Sequence, residues 1–289
     1  MLRFQLPSFD NPHELEFQFE HESQIYKRIA VIIGKNGVGK SQALSSFARS
    51  LIRDDKKLRT QDKARPSVNR LIAISGHGET RTTFPTSRVR SRIPYRKIIL
   101  DLNSTVQTET GLGTVLIQLA RSKEKVREHD RWNLFCNAVS SLLKLDELFV
   151  RQRRSRPKAD STSEPRPIAL ADFRPTSEQA RLALWGRIDP TAALCRFIDG
   201  KILPLSSGES TFIRFAAQAC LFIENGTLLL VDEPETHLHP NLITQFVGLL
   251  DELLKMTSSF AVLATHSAYF VREVPRSQVL ILKENGRRI

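Results

Sequence analysis

The sequence predicts an α/β fold with helices on the faces of a parallel sheet, and three observations carry that prediction. Short aliphatic runs, "RIAVIIG", "NRLIAIS", "TLLLVD" and "FAVLAT", have the length and β-branched content of buried strands. Amphipathic helical patterns separate them, the order expected of strand–helix–strand units. The first run passes into a glycine loop, "GKNGVGKS", and then into helical spacing.

Taken in order, "HELEFQFE" (His13 to Glu20) alternates apolar and polar residues as a half-buried strand does. "RIAVIIG" (Arg28 to Gly34) reads as a buried strand, and Leu44, Phe47, Ala48 and Leu51 give the following segment a helical stripe. "NRLIAIS" (Asn69 to Ser75) and "KIILDL" (Lys97 to Leu102) read as two more strands, with an arginine- and threonine-rich loop between them. From Thr114 to Val150, and in parts of 176–198, the pattern is mostly helical. The spacing thus predicts two strand-rich parts, 1–104 and 200–289, divided by a helical insertion over 105–199 with a basic, Pro/Ser-rich loop. In the last part, the helix "TFIRFAAQACLFIENG" precedes "TLLLVD", the amphipathic helix "PNLITQFVGLLDELLKM" precedes "FAVLAT", and "QVLILKENG" supplies a final strand.

A hydrophobic fraction of 40% and a charged fraction of 26% describe a folded chain and exclude wholesale disorder. The net charge of +12 favours an anionic partner such as nucleic acid; a generally basic, solvated surface is the alternative. Basic residues concentrate at Arg53 to Arg70, Arg81 to Lys97 and Arg151 to Lys158. Cys136, Cys195 and Cys220 are far apart, each among apolar neighbours in a segment read as helical, which suits buried thiols in a reducing compartment. The first residues lack a basic start followed by an apolar core, and no window offers the apolar length of a membrane span. A cytoplasmic protein with no membrane partner is expected.

The glycine loop matches G-x-x-x-x-G-K-[ST] in full, from Gly34 through Asn36, Gly37, Val38 and Gly39 to Lys40 and Ser41. Backbone N–H groups of such a loop turn inward around phosphate oxygens, Lys40 would reach the β- and γ-phosphates, and the Ser41 hydroxyl would ligate Mg²⁺. Asp232, ending an aliphatic strand, suits a second metal anchor, and Glu233 suits the base that activates water. Ser206, Ser207, Gly208 and Glu209 open a helix; alone they read as an N-cap, and they also offer a hydroxyl and free N–H groups to an anion. His266 closes a strand, and His237 and His239 could suggest a metal pair.

Together "GKNGVGKS", "LSSGES", "LLLVDEPE" and a later strand ending "ATHS" resemble the ABC-type ATPases, P-loop proteins that bind Mg²⁺ and ATP. The resemblance implies two nucleotide-binding domains meeting head to tail, with Ser206 and Gly208 acting on the nucleotide of the partner chain. It implies that Glu233 is the catalytic base and that His266 senses the γ-phosphate. It moves His237 and His239 to the dimer interface. "DEPETHLHP" and "THSAYFVREVP" are similar to the soluble branch: RecF-like and chromosome-maintenance ATPases, the OLD nucleases, and anti-phage ATPases such as those of Septu systems. The match covers 1–102 and 202–289 and leaves the middle unmatched. Two departures stand out. "IAISGHGET" carries His77 and Glu79 where the family has a glutamine, with Gln107 and Gln118 as distant substitutes. "QVLILKENGRRI" ends at a turn, as in a short family member or one lacking a C-terminal domain.

The expectation is therefore an ATP hydrolase that forms a homodimer or higher oligomer around ATP and works on a nucleic acid, in anti-phage defence with a nuclease partner. An ATP-dependent assembly scaffold with slow hydrolysis is the alternative, and the motor subunit of a transporter is a third.

Overall fold

The computed structural model describes residues 2–4, 13–17, 19, 28–53, 67–76, 83–86, 90–100, 111–153, 165–236 and 238–283. The chain divides into two compact units: Met1–Asp101 with Phe222–Ile289, and Leu102–Leu221. In the first part of unit one, β1 (Leu2–Phe4) pairs antiparallel with β2 (His13–Leu15), so the alternating segment read from His13 to Glu20 forms a shorter strand than expected. There follow β3 (Ile29–Ile33), α1 (Lys40–Arg53), β4 (Arg70–Ser75) and β5 (Tyr95–Ile99).

The second unit holds α2 (Leu112–Arg121), β6 (Lys125–Val126), β7 (His129–Asp130), α3 (Arg131–Ser140), β8 (Phe149–Val150), β9 (Ile168–Ala169), α4 (Glu178–Arg187), β10 (Leu194–Ile198), β11 (Lys201–Pro204) and nearly all of α5 (Ser207–Phe222). Unit one resumes with β12 (Thr227–Asp232), α6 (Pro240–Met256), β13 (Phe260–Thr265), α7 (Ala268–Glu273) and β14 (Val279–Ile281).

Six strands of unit one form a sheet in the order β14-β3-β13-β12-β4-β5, and every pairing is parallel. The α/β expectation thus holds, and the strands predicted from the aliphatic runs are the central ones. β12 and β13 are buried almost throughout, which is why they read as unbroken apolar runs rather than as alternation. One face of the sheet packs on α1 through Ala43, Leu44, Phe47, Ala48 and Leu51, against Ala30 and Ile32 of β3, Leu230 of β12 and Val262 of β13. A buried ion pair fastens the start of β3 to α6: the Arg28 guanidinium donates to both Asp251 carboxylate oxygens, at 3.0 and 3.1 Å.

The insertion is not simply helical, which corrects the sequence reading. It carries an antiparallel sheet of order β11-β10-β8-β9 beside its helices. β8 and β9 are two residues long each, too short to show period-two alternation, so "DELFV" was absorbed into the neighbouring helical pattern. Cys195 accordingly lies on β10 rather than on a helix, while Cys136 and Cys220 lie on α3 and α5. All three thiols are free, and burial pushes Cys136 up to about 12 and Cys220 higher still, so neither is a nucleophile at neutral pH.

Candidate functional site

A parallel sheet brings the carboxyl ends of its strands to one edge, where loops rather than helices begin. Register fixes who meets there: Ile33 pairs with Thr265, Ala264 with Asp232, and Asp232 with Ser75. Three segments singled out by sequence, the glycine loop after β3, the acids ending β12 and His266 after β13, therefore share one edge.

The loop from Gly34 to Gly39 turns back on itself because Gly37 and Gly39 adopt positive φ of 84° and 93°, a region that L side chains enter at a cost. Gly34 is needed for a different reason: a Cβ there would stand 2.6 Å from the Leu282 carbonyl oxygen and 2.8 Å from a Val38 methyl. Val38 is buried and anchors the loop, while Asn36 and Gly37 are exposed. Lys40 is only 5% exposed, and its ammonium donates to the Gly34 and Lys35 carbonyls, both at 2.9 Å. The Ala43 N–H already bonds to Gly39, so the unbonded N–H groups of α1 are those of its first turn, beside Lys40 and Ser41. A positive helix end and a buried cation thus face the same loop.

Ser41 and Asp232 lie far apart in sequence and meet in space, the serine hydroxyl donating to Asp232 Oδ1 at 3.0 Å. Thr83 donates to the other oxygen, Oδ2, at 3.0 Å. Asp232 is 1% exposed, and burial raises its carboxyl to about 6, opposed by the Thr83 and Ser41 hydrogen bonds and reinforced by Glu233 and Glu235. A buried carboxylate held above its ordinary range, surrounded by further acids, is arranged for a cation. The adjoining hydroxyl and carboxylate are hard oxygen donors of the type Mg²⁺ takes. The residues present fit Mg²⁺ with a phosphate-bearing ligand.

Glu233 follows with a φ of +50°, left-handed for a residue that is not glycine. Its N–H bonds to the Ala264 carbonyl at 2.8 Å and its side chain is half-buried. Such backbone strain persists where the surroundings over-determine it, often where a side chain must be aimed. Two residues on, Glu235 accepts from the Thr265 hydroxyl at 2.6 Å and from the His266 N–H at 2.8 Å, and stands 3.0 Å from His266 Nδ1. His266 itself is half exposed, at 49%.

Ser206, Ser207, Gly208 and Glu209 belong to the second unit and form a constellation of their own. Glu209 accepts from the Ser206 N–H and hydroxyl at 2.9 Å each, and the Glu209 N–H returns to the Ser206 oxygen at 3.2 Å. This is a capping box on α5. Arg196 of β10 clamps the same carboxylate at 2.7 and 3.3 Å. His239 caps α6, its Nδ1 accepting from the Asn241 N–H at 3.4 Å, while His237, His77, Glu79 and Gln107 lie outside the described residues. Gln118 is on α2, in the second unit. Among the described residues no group of three or more His, Cys, Asp or Glu side chains is arranged to hold a metal, and no helix is long and apolar enough to cross a membrane.

Sequence reasoning missed Thr83 and Glu235. Thr83 falls in a loop without periodicity, and its partner is remote in sequence. Glu235 was visible in "DEPETHLHP", where an acid two residues beyond the pair at Asp232 and Glu233 was the available signal.

A family model described as "AAA domain, putative AbiEii toxin, Type IV TA system" matches residues 29–272, which takes in the glycine loop, the acids after β12 and His266. Protein ea59 of Escherichia phage lambda is 37% identical over 76 residues, 26% of this chain and 14% of that protein's length. The match to the family model spans most of the chain, and the chain belongs to this family of AAA-domain P-loop ATPases.

Proposed function

We propose that the chain binds Mg²⁺ and ATP at the carboxyl edge of its parallel sheet and hydrolyses the terminal phosphate. The observation that carries this is the Ser41–Asp232 pair, a serine of the glycine loop held at 3.0 Å from a buried acid on another strand. Mg²⁺ held there would supply positive charge against the negative charge of the phosphates. Lys40 would exchange its loop carbonyls for phosphate oxygens, and Ser41 and Asp232 would hold the metal. Glu233, aimed by its left-handed backbone, takes the proton of the attacking water. His266 answers to the γ-phosphate.

In the same reading the chain dimerises around nucleotide, with Ser206, Ser207, Gly208 and Glu209 of one copy completing the site of another. This part of the proposal rests on the resemblance carried by "LSSGES". The net charge of +12 supports a nucleic acid partner. An anti-phage role of the Septu kind, with a separate nuclease, is the most specific form of the proposal and rests on the sequence resemblance.

Glu233→Gln tests the assignment. The variant should bind ATP and form a stable dimer by light scattering, with turnover reduced by two or more orders of magnitude, the scale of a general base. Hydrolysis at the wild-type rate would remove Glu233 from the mechanism. A second reading, an ATP-dependent scaffold with slow hydrolysis, rests on the sequence, where "IAISGHGET" carries His77 and Glu79 and no glutamine. Steady-state turnover with and without DNA separates the two.

A further inference from the structure

Glu235 is a strongly used acceptor at the carboxyl edge of the sheet, and the mechanism above gives it no task. Its side chain is 8% exposed, and a single oxygen, Oε1, meets the Thr265 hydroxyl, the His266 N–H and His266 Nδ1. The other oxygen, Oε2, is buried without a hydrogen-bond partner among the described residues. The Thr265 hydroxyl also accepts from the Ser267 N–H at 2.9 Å, so its one hydrogen is committed to Glu235.

An ionised carboxylate only accepts. A bare Nδ1 lone pair 3.0 Å from Glu235 Oε1 would set two acceptors against each other, and a proton on Nδ1 relieves that repulsion. In a neutral ring that leaves Nε2 with a lone pair, which repels a phosphate oxygen because both are acceptors. The doubly protonated ring has an N–H on each nitrogen, one for Glu235 and one for the ligand.

We propose that Glu235 is a positioning residue for His266: it fixes the proton on Nδ1, so that the ring meets a phosphate oxygen through Nε2 only as an imidazolium with Glu235 as counter-charge. The ligand half of this rests on the proposed place of His266 at the γ-phosphate; the Nδ1 half does not.

Nitrogen–proton correlation spectra of the ¹⁵N-labelled full chain test it. The His266 signal is assigned by its loss in His266→Asn, and spectra are taken at mildly alkaline pH without nucleotide. Nδ1 should appear protonated and Nε2 bare. Glu235→Gln, whose amide oxygen still accepts, should keep that form, whereas Glu235→Ala should move the ring toward the Nε2–H form. A wild-type ring protonated on Nε2 overturns the proposal, and so does an unchanged tautomer in Glu235→Ala. Should the alanine variant fail to fold, the wild-type spectrum still decides. Adding Mg²⁺ and a non-hydrolysable ATP analogue should convert the wild-type ring to the imidazolium, and Glu235→Gln should bind the analogue about tenfold more weakly. A ring that keeps its Nδ1 proton and stays neutral with the analogue bound overturns the γ-phosphate role and not the pairing, so the two failures are distinguishable.

Discussion

Asp232 occupies a place that costs the folded chain stability. Its carboxyl is raised to about 6 chiefly by burial, from 3.8 in the unfolded chain. As pH rises from about 4 to 6, the unfolded chain releases a proton that the folded chain keeps, so stability falls across that window and is level above it. Asp232→Asn removes the charge, and its amide still offers an oxygen to one hydroxyl and N–H to the other. The nucleotide-free variant should therefore be more stable than wild type at neutral pH, by about 1–3 kcal/mol. Thermal melts should show the gap closing as the pH is lowered toward 4. The addition of Mg²⁺ and ATP should raise Tm more for wild type than for the variant; a variant less stable than wild type at pH 7 would refute the assignment of strain to this carboxyl. At this scale, legibility followed spacing. Gly34, Gly39, Lys40, Ser41, Asp232 and Glu233 were readable because a fixed motif spacing beside aliphatic strands singles them out, and the structure brings them to one edge. Thr83 and Glu235 act through contacts that only the parallel register creates, and register is not written in either segment.

Among the elements, the start of α5 is a short motif that the sequence let be read two ways. "LSSGES" read as an N-cap or an anion site, and the capping box between Ser206 and Glu209 is the N-cap in full. Arg196, foremost, and the Ser206 donors hold the Glu209 carboxyl down to about 2, so its contribution is present above about pH 4.5 and is lost as pH falls toward 2. Glu209→Ala should loosen the first turn by about 1 kcal/mol, roughly fivefold in the local opening constant. Hydrogen exchange read by mass spectrometry should show faster exchange at Ser206 while peptides from β12 stay unchanged; protection equal to wild type at Ser206 would mean the box carries no local stability. Other elements were legible to differing degrees for one reason, length. α6 matched its predicted bounds from Pro240 to Met256 because its apolar stripe runs for several turns behind a proline at its first position. β8 and β9 were hidden because two residues cannot display a period.

For the molecule as a whole, the parallel core was legible and the character of the second unit was not. The core strands are buried on both faces and write themselves as aliphatic runs, whereas the second unit interleaves short strands with helices whose stripes dominate any window. Net charge is the remaining whole-chain signal, and its consequence is measurable without knowing which surface carries it. With 43 Lys and Arg against 31 Asp and Glu, a +12 chain bound to duplex DNA would displace condensed counterions in proportion to the phosphates it neutralises. Contacts to about 6–10 phosphates would weaken binding by roughly 10³–10⁵ between 50 and 200 mM salt, and the slope of log K against log salt would report their number. Fluorescence anisotropy with a labelled duplex, repeated with Mg²⁺ and ATP on Glu233→Gln to hold the nucleotide-bound state, gives that slope in each state. A steeper slope with nucleotide means that ATP brings more basic surface onto the DNA, as a closing dimer would, because two chains then share one duplex. An equal slope means that the nucleotide site and the basic surface are uncoupled, and affinity indifferent to salt would remove nucleic acid from the proposed function altogether.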